Sequence, residues 1–243
     1  MPASPSPAAQ FRYASDQSLL VYFDSGDTPT SAAPRRQLTE HGHEHVRRLL
    51  RLLDLEPIPG VLNLHPAYGS ILLRFNPLQI QHEELEAALR DCLVCMEKLI
   101  LPEPRLVEIP VCYGAAFGPD LEEVARLHSL SPKQVMEIHS AQTYLVYFLG
   151  FVPGFAYLGD LPDAIATPRL PSPRKSVPAG SLGIAANQTG IYPVSTPGGW
   201  RLIGRTPLSI FQPQREKMSL LEIGDRVRFV PITPQKFSSM EKA

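Results

Sequence analysis

The sequence predicts an α+β protein in two parts, a small sheet-and-helix domain followed by a β barrel. Three observations predict it. The N-terminal part alternates strand-like and helix-like patterns in the order strand, helix, strand, strand, helix. Beyond residue 142 the composition changes: nine of the 16 glycines and nine of the 26 prolines fall between 150 and 207, under a quarter of the 243 residues. Between those breakers stand short β runs with no helical periodicity.

Residues 1–10, rich in proline and serine, read as a tail. Leu19 to Phe23 form a β run, and a polar loop follows. Over 36–53 the apolar residues Leu38, Val46, Leu49, Leu50 and Leu53 recur mostly at spacings of three and four, an amphipathic helix. Ile58-Pro59-Gly60 ends it. Strands over 61–64 and 70–75 form a pair, and a second helix is expected over 82–99. This order opens a ferredoxin-like split βαβ, whose closing strand is expected near 106–111. Prolines 102 and 104 mark a linker. The predicted division is a tail over 1–10, a ferredoxin-like domain over 11–103, a barrel domain over 104–236 and a tail over 237–243. Within the second domain, two short helices are expected first, at 119–128 and from Ser131, where Ser131 and Gln134 match a capping box. β runs near 181–185, 190–192, 200–203 and 225–230 then make a closed or nearly closed barrel.

Bulk properties exclude several classes. Lys and Arg number 23 against 24 Asp and Glu, a net charge of −1, so no global field draws the chain to nucleic acid or an anionic membrane. The longest apolar run, over 144–152, is far below the ~20 residues that span a bilayer. The first ten residues carry no Lys or Arg, unlike a secretory signal. Three cysteines cannot form a disulfide framework, so a cytoplasmic location is expected.

Several motifs invite chemistry. His41, His43 and His45 alternate, but on a helix they diverge, and a solvated helix face is the expectation rather than a metal site. Cys92 and Cys95 lie in an apolar helical stripe and are expected to be small buried hydrophobes. Residues 121–139 mimic a helix-turn-helix, yet residues 119–141 carry two basic and four acidic side chains, wrong for phosphates. Ser181 lacks the first glycine of a nucleophile elbow, and no histidine follows it in the chain. The strongest signal is a charge asymmetry. Residues 164–215 hold Arg169, Arg174, Lys175, Arg201, Arg205 and Arg215 and no acid. Arginine forks match carboxylate or phosphoryl oxygens, so an anion site is expected there. Its predicted lining is Arg169, Arg174, Arg205 and the Gln188-Thr189-Gly190 turn, with Phe155, Tyr157 and Trp200 as apolar wall. No P-loop is present.

Phe148-Leu149-Gly150-Phe151-Val152-Pro153-Gly154-Phe155-Ala156-Tyr157-Leu158-Gly159 closely resembles a signature of the KipI/PxpB family, the B subunits of ATP-dependent 5-oxoprolinase, formerly allophanate hydrolase subunit 1. Residues 177–181, 188–193, 196–200 and 202–206 continue the match, as do 108–114, 118–121, 138–140 and 224–231. The resemblance is specific over about 105–232, and loop 24–35 matches nothing in it. It implies a ferredoxin-like domain followed by a cyclophilin-like barrel. It also implies a non-autonomous hydrolase subunit, paired with a homologous C-type barrel subunit and an A-type subunit of TIM-barrel type. That complex would open the lactam 5-oxoproline to glutamate with ATP hydrolysis, ATP being bound through the complex, and no metal site is evident in this sequence. A kinase-inhibitor branch of the family and a free-standing binding barrel are the alternatives. No general base is assignable; His139, inside a matched motif, is the one weak catalytic candidate.

Overall fold

A computed structural model describes residues 9–23 and 35–242, with backbone only for 35–41. Most of the expected tail at 1–10, and loop 24–35 up to its last residue, lie outside the described residues. The chain divides into two compact units, Met1–Glu103 and Pro104–Ala243.

The first unit contains β1 (Ala9–Ser15), β2 (Ser18–Phe23), α1 (Arg35–Leu55), β3 (Val61–Pro66), β4 (Ser70–Phe75) and α2 (His82–Met96). Its antiparallel sheet has the order β1-β2-β4-β3. The expected closing strand is corrected here. β1 occupies the edge beside β2, so the fourth strand comes from the N-terminal side rather than from 106–111. Strands β2 and β4 alternate in burial, turning Leu19, Val21, Ile71, Leu73 and Phe75 to the helices. On α1, Val46, Leu49 and Leu53 fill the same core. His43, three residues before Val46, lies on that inner face and is buried, which corrects the solvated face expected for the histidine run. The side chain of His41 is outside the described residues. A Gln81–Glu84 capping box starts α2, and Leu85, Leu89, Leu93 and Met96 form its buried stripe.

Cys92 and Cys95 flank that stripe. Cys95 is exposed and Cys92 half-buried, so they are not the buried pair expected. Burial and the neighbouring Cys95 push the Cys92 thiol above its usual range. Timed alkylation read by mass spectrometry is expected to modify Cys95 first and the buried Cys112 only on unfolding. Cys95→Ser is expected to change stability by less than about 0.5 kcal/mol. Labelling of Cys112 as fast as Cys95 would contradict this placement.

The second unit contains β5 (Leu106–Tyr113), α3 (Leu121–Leu127), α4 (Pro132–Ser140), β6 (Thr143–Leu149), β7 (Ala156–Gly159), β8 (Arg174–Val177), β9 (Ser181–Ala185), β10 (Gln188–Ile191), β11 (Thr196–Gly198), β12 (Arg201–Arg205), β13 (Arg226–Pro231) and α5 (Pro234–Glu241). Seven strands close a barrel in the order β10-β7-β6-β13-β5-β12-β9, while β8 and β11 pair outside it. β5 and β13 run parallel, Leu106 opposite Arg226 through Val111 opposite Pro231. The fold class is therefore α+β with a closed barrel. Ser131 and Gln134 cap α4 reciprocally, as their spacing predicts. The helix-turn-helix look-alike turns Leu121, Val124, Ala125 and Val135 into the barrel core. The expected tail at 237–243 is also corrected: α5 continues to Glu241 and buries Phe237, whose ring meets that of Phe117 at 4.6 Å.

Candidate functional site

An aromatic cluster stands apart from the main barrel core. It gathers Phe155 just before β7, Tyr157 on β7, Tyr192 after β10 and Trp200 before β12. The Phe155 ring meets those of Tyr157, Tyr192 and Trp200 edge-on at 5.0, 5.2 and 5.3 Å, the arrangement the ring quadrupoles favour. Two glycines make room for it. A Cβ on Gly190 would lie 3.1 Å from both the Phe155 and Trp200 rings, and one on Gly198 would lie within 3 Å of three Tyr192 ring and hydroxyl atoms. These four rings line a cavity of about 250 Å³. Its rim carries Phe151, Arg169 and the prolines 173 and 197. Phe151 is 60% exposed with φ at 68°, a left-handed conformation costly for a bulky side chain.

The cavity lining holds one cation. The Arg169 guanidinium lies 6.0 Å from the centre of the Trp200 ring. Among the described residues, no carboxylate stands within ion-pair reach of it. Burial raises the hydroxyl pKa values of both tyrosines, opposed at Tyr157 by Arg169 and at Tyr192 by a hydrogen bond from the Trp200 backbone and then by Arg169 and Arg174, so both are neutral at physiological pH. Among the described residues, nothing hydrogen-bonds the Tyr157 hydroxyl.

The structure thus brings together four of the predicted residues, Arg169, Phe155, Tyr157 and Trp200, with Gly190 directly behind them. It does not bring the others. Arg174 donates to Asp120 Oδ1 at 2.6 Å, and the second oxygen of that buried carboxylate accepts the Leu202 amide at 2.6 Å. Arg201 pairs with Glu123. The acid-free window is therefore answered by acids well before it in the chain, at the N-terminal end of α3. Arg205 donates to the Ala179 carbonyl at 2.9 Å and lies over the Phe237 ring on α5. Gln188 and Thr189 belong to the barrel wall on β10. Ser181 is buried on β9. Sequence reasoning missed Phe151, Tyr192 and the two rim prolines as parts of one cavity. The turn residues bracketing each aromatic were the available signal.

His139 is fully buried and not at the cavity. Its Nδ1 lies 2.9 Å from the Tyr113 hydroxyl and its Nε2 lies 3.0 Å from Thr189 Oγ1. Thr189 donates its own proton to the Gly183 carbonyl at 3.1 Å, so Nε2 carries the imidazole proton and Tyr113 donates to Nδ1. The rings of Tyr113, Tyr144 and Phe229 surround the imidazole. Burial lowers its pKa to about 3, so it stays neutral. The catalytic candidacy of His139 is corrected to a structural role, because a ring walled off by aromatics and committed at both nitrogens reaches no substrate. Among the described residues, no three His, Cys, Asp or Glu side chains are placed to hold a metal, and no helix is long and apolar enough to cross a membrane.

A sheet-and-helix unit followed by a closed barrel that carries an arginine-rimmed aromatic cavity is an architecture of carboxyltransferase-domain type. The chain belongs to the family described as carboxyltransferase domain, subdomain C and D, whose model matches residues 10–221. It is similar to the B subunit of 5-oxoprolinase from Bacillus subtilis, 40% identical over 89% of this chain and 95% of that protein. It is 50% identical to that of Escherichia coli O157:H7 over 74% of this chain and 81% of the relative. The crystal structure of the protein TTHA0988 matches with a TM-score of 0.74 and 36% identity, over 89% of this chain and 40% of that longer one.

Proposed function

We propose that the chain is the B-type subunit of a cytoplasmic 5-oxoprolinase complex, which opens 5-oxoproline to glutamate with ATP hydrolysis and in which this chain is inactive alone. The observation that carries it is the 50% identity to the B subunit of a 5-oxoprolinase. The inactivity of the isolated chain is supported by its one buried, neutral candidate base, His139. The expected partners are a homologous C-type barrel subunit and an A-type subunit of TIM-barrel type. The match to only 40% of the longer TTHA0988 chain agrees with a module that works beside further protein.

Amide resonance makes a five-membered lactam a poor electrophile, so ATP supplies its chemistry by activating the lactam oxygen. The aromatic cavity does not suit ATP. At about 250 Å³ it is below the size of ordinary cofactor sites, and it offers one arginine for three phosphates. In this reading the nucleotide is bound elsewhere in the complex, and this chain binds and orients.

The test is reconstitution. Purified chain with 5-oxoproline and ATP is expected to release no glutamate, while the chain with its A- and C-type partners is expected to release it in an ATP-dependent manner. Robust turnover by the isolated chain would overturn the reading. So would arrest of histidine-kinase autophosphorylation together with no rescue of a strain that lacks its own B-type subunit.

A further inference from the structure

We propose that the aromatic cavity is a site for a small, uncharged five-membered ring that carries one carboxylate, with Arg169 on the carboxylate and the Tyr157 hydroxyl on the ring amide. That the ring is a lactam rests on the enzyme-complex reading above. The five-membered ring rests on it too, while the small size and the single carboxylate come from the cavity itself.

Size sets the first limit. A volume of about 250 Å³ suits a ligand of about nine non-hydrogen atoms, such as 5-oxoproline, rather than the roughly thirty of a nucleoside triphosphate. Wall chemistry sets the second. Phe155, Tyr157, Tyr192 and Trp200 present carbon and ring faces, and no acidic side chain lines the cavity. An ammonium group would find no counter-charge there, so a neutral amide nitrogen is accepted and the cationic nitrogen of proline is not.

Charge sets the third limit. Of the arginines expected at this site, Arg174 is held by Asp120, and Arg205 lies over Phe237 away from the cavity lining. Arg169 alone stands at the rim with no acid partner among the described residues. One arginine fork matches one carboxylate. The fourth limit is the unmatched donor. The Tyr157 hydroxyl is neutral and is not hydrogen-bonded among the described residues, and an amide carbonyl would complete it. Every wall of the cavity belongs to the second unit. The full-length chain therefore needs no partner to bind the ring.

Trp200 is the sole tryptophan of the chain, so intrinsic fluorescence reads the cavity directly. L-5-oxoproline titrated into the purified full-length chain is expected to change Trp200 emission saturably. 2-Pyrrolidinone, which lacks the carboxylate, is expected to bind roughly ten- to hundredfold more weakly, the loss of one charge-assisted contact. Arg169→Gln is expected to weaken 5-oxoproline by the same factor while leaving 2-pyrrolidinone unchanged. Arg169 is exposed, so this variant keeps the fold. Tyr157→Phe is expected to weaken both lactams about fivefold and to leave cyclopentanecarboxylate unchanged. ATP and L-proline are expected to give no saturable change.

No saturable response to 5-oxoproline, or equal affinities for wild type and Arg169→Gln, overturns the proposal. The two readings separate cleanly. A chain that restores glutamate release with its partners yet fails to bind the ring sinks the cavity assignment alone. A chain that binds the ring yet restores nothing sinks the enzyme-complex reading alone.

Discussion

Asp120→Ala is expected to destabilise the second unit by about 3 kcal/mol or more, seen as a fall in melting temperature of roughly 6–12 °C. The Asp120 carboxylate is buried, and both of its oxygens are used at 2.6 Å, one by Arg174 and one by the Leu202 amide. Truncation leaves a buried N–H without an acceptor and a partly buried guanidinium without its counter-ion. Asp120→Asn keeps an acceptor for one of the two donors and is expected to lose less. Arg174→Ala also acts chiefly on stability, but more weakly, because the guanidinium is 29% exposed and water compensates part of the loss. Scanning calorimetry of the three variants checks the order. An Asp120→Ala protein that melts with wild type would show that this carboxylate does not tie the start of α3 to β8 and to the barrel strand β12.

The second large effect is on acid stability. His139 is neutral in the fold with a pKa lowered to about 3 by burial, against 6.5 when unfolded. Between those values the unfolded chain binds one proton more than the folded chain. Stability from this group is therefore full above pH 6.5 and falls as pH drops, by about 1.4 kcal/mol for each pH unit until about pH 3. His139→Gln offers a non-titrating amide that can donate towards Thr189 and accept from Tyr113. Urea unfolding at about pH 7, 6, 5 and 4 is expected to show a shallower acid decline in this variant than in wild type, by one proton's slope. Identical slopes would mean that His139 is not held neutral.

Local patterns were legible where a few neighbouring residues decide the outcome. The spacing of Val46, Leu49 and Leu53 places α1, and the Ser131–Gln134 pair starts α4. Edge elements were less legible. β1 alternates in burial only over Ala9 to Arg12 and buries no residue fully, because an edge strand at the rim of a sheet buries little on either face. The role of Phe237 in α5 was hidden because two apolar residues, Phe237 and Met240, in a short polar helix carry too little periodic signal.

The candidate site divides along the same line. Sequence alone determined the α+β class, the glycine-punctuated β half, and Phe155, Tyr157 and Trp200 as an aromatic wall near Arg169. Only the tertiary structure decided which arginine remains available, since Arg174 meets an aspartate 54 positions earlier and Arg201 a glutamate on α3. Only it decided that β5 closes the barrel beside β13, Glu108 facing Arg228 across 120 positions, rather than completing the first sheet. The reason is the range of the forces involved. Turn and helix preferences act over three or four residues and are written in the local order. Charge neutralisation and strand pairing join residues that are distant in sequence, and their partners become fixed only when the chain closes on itself.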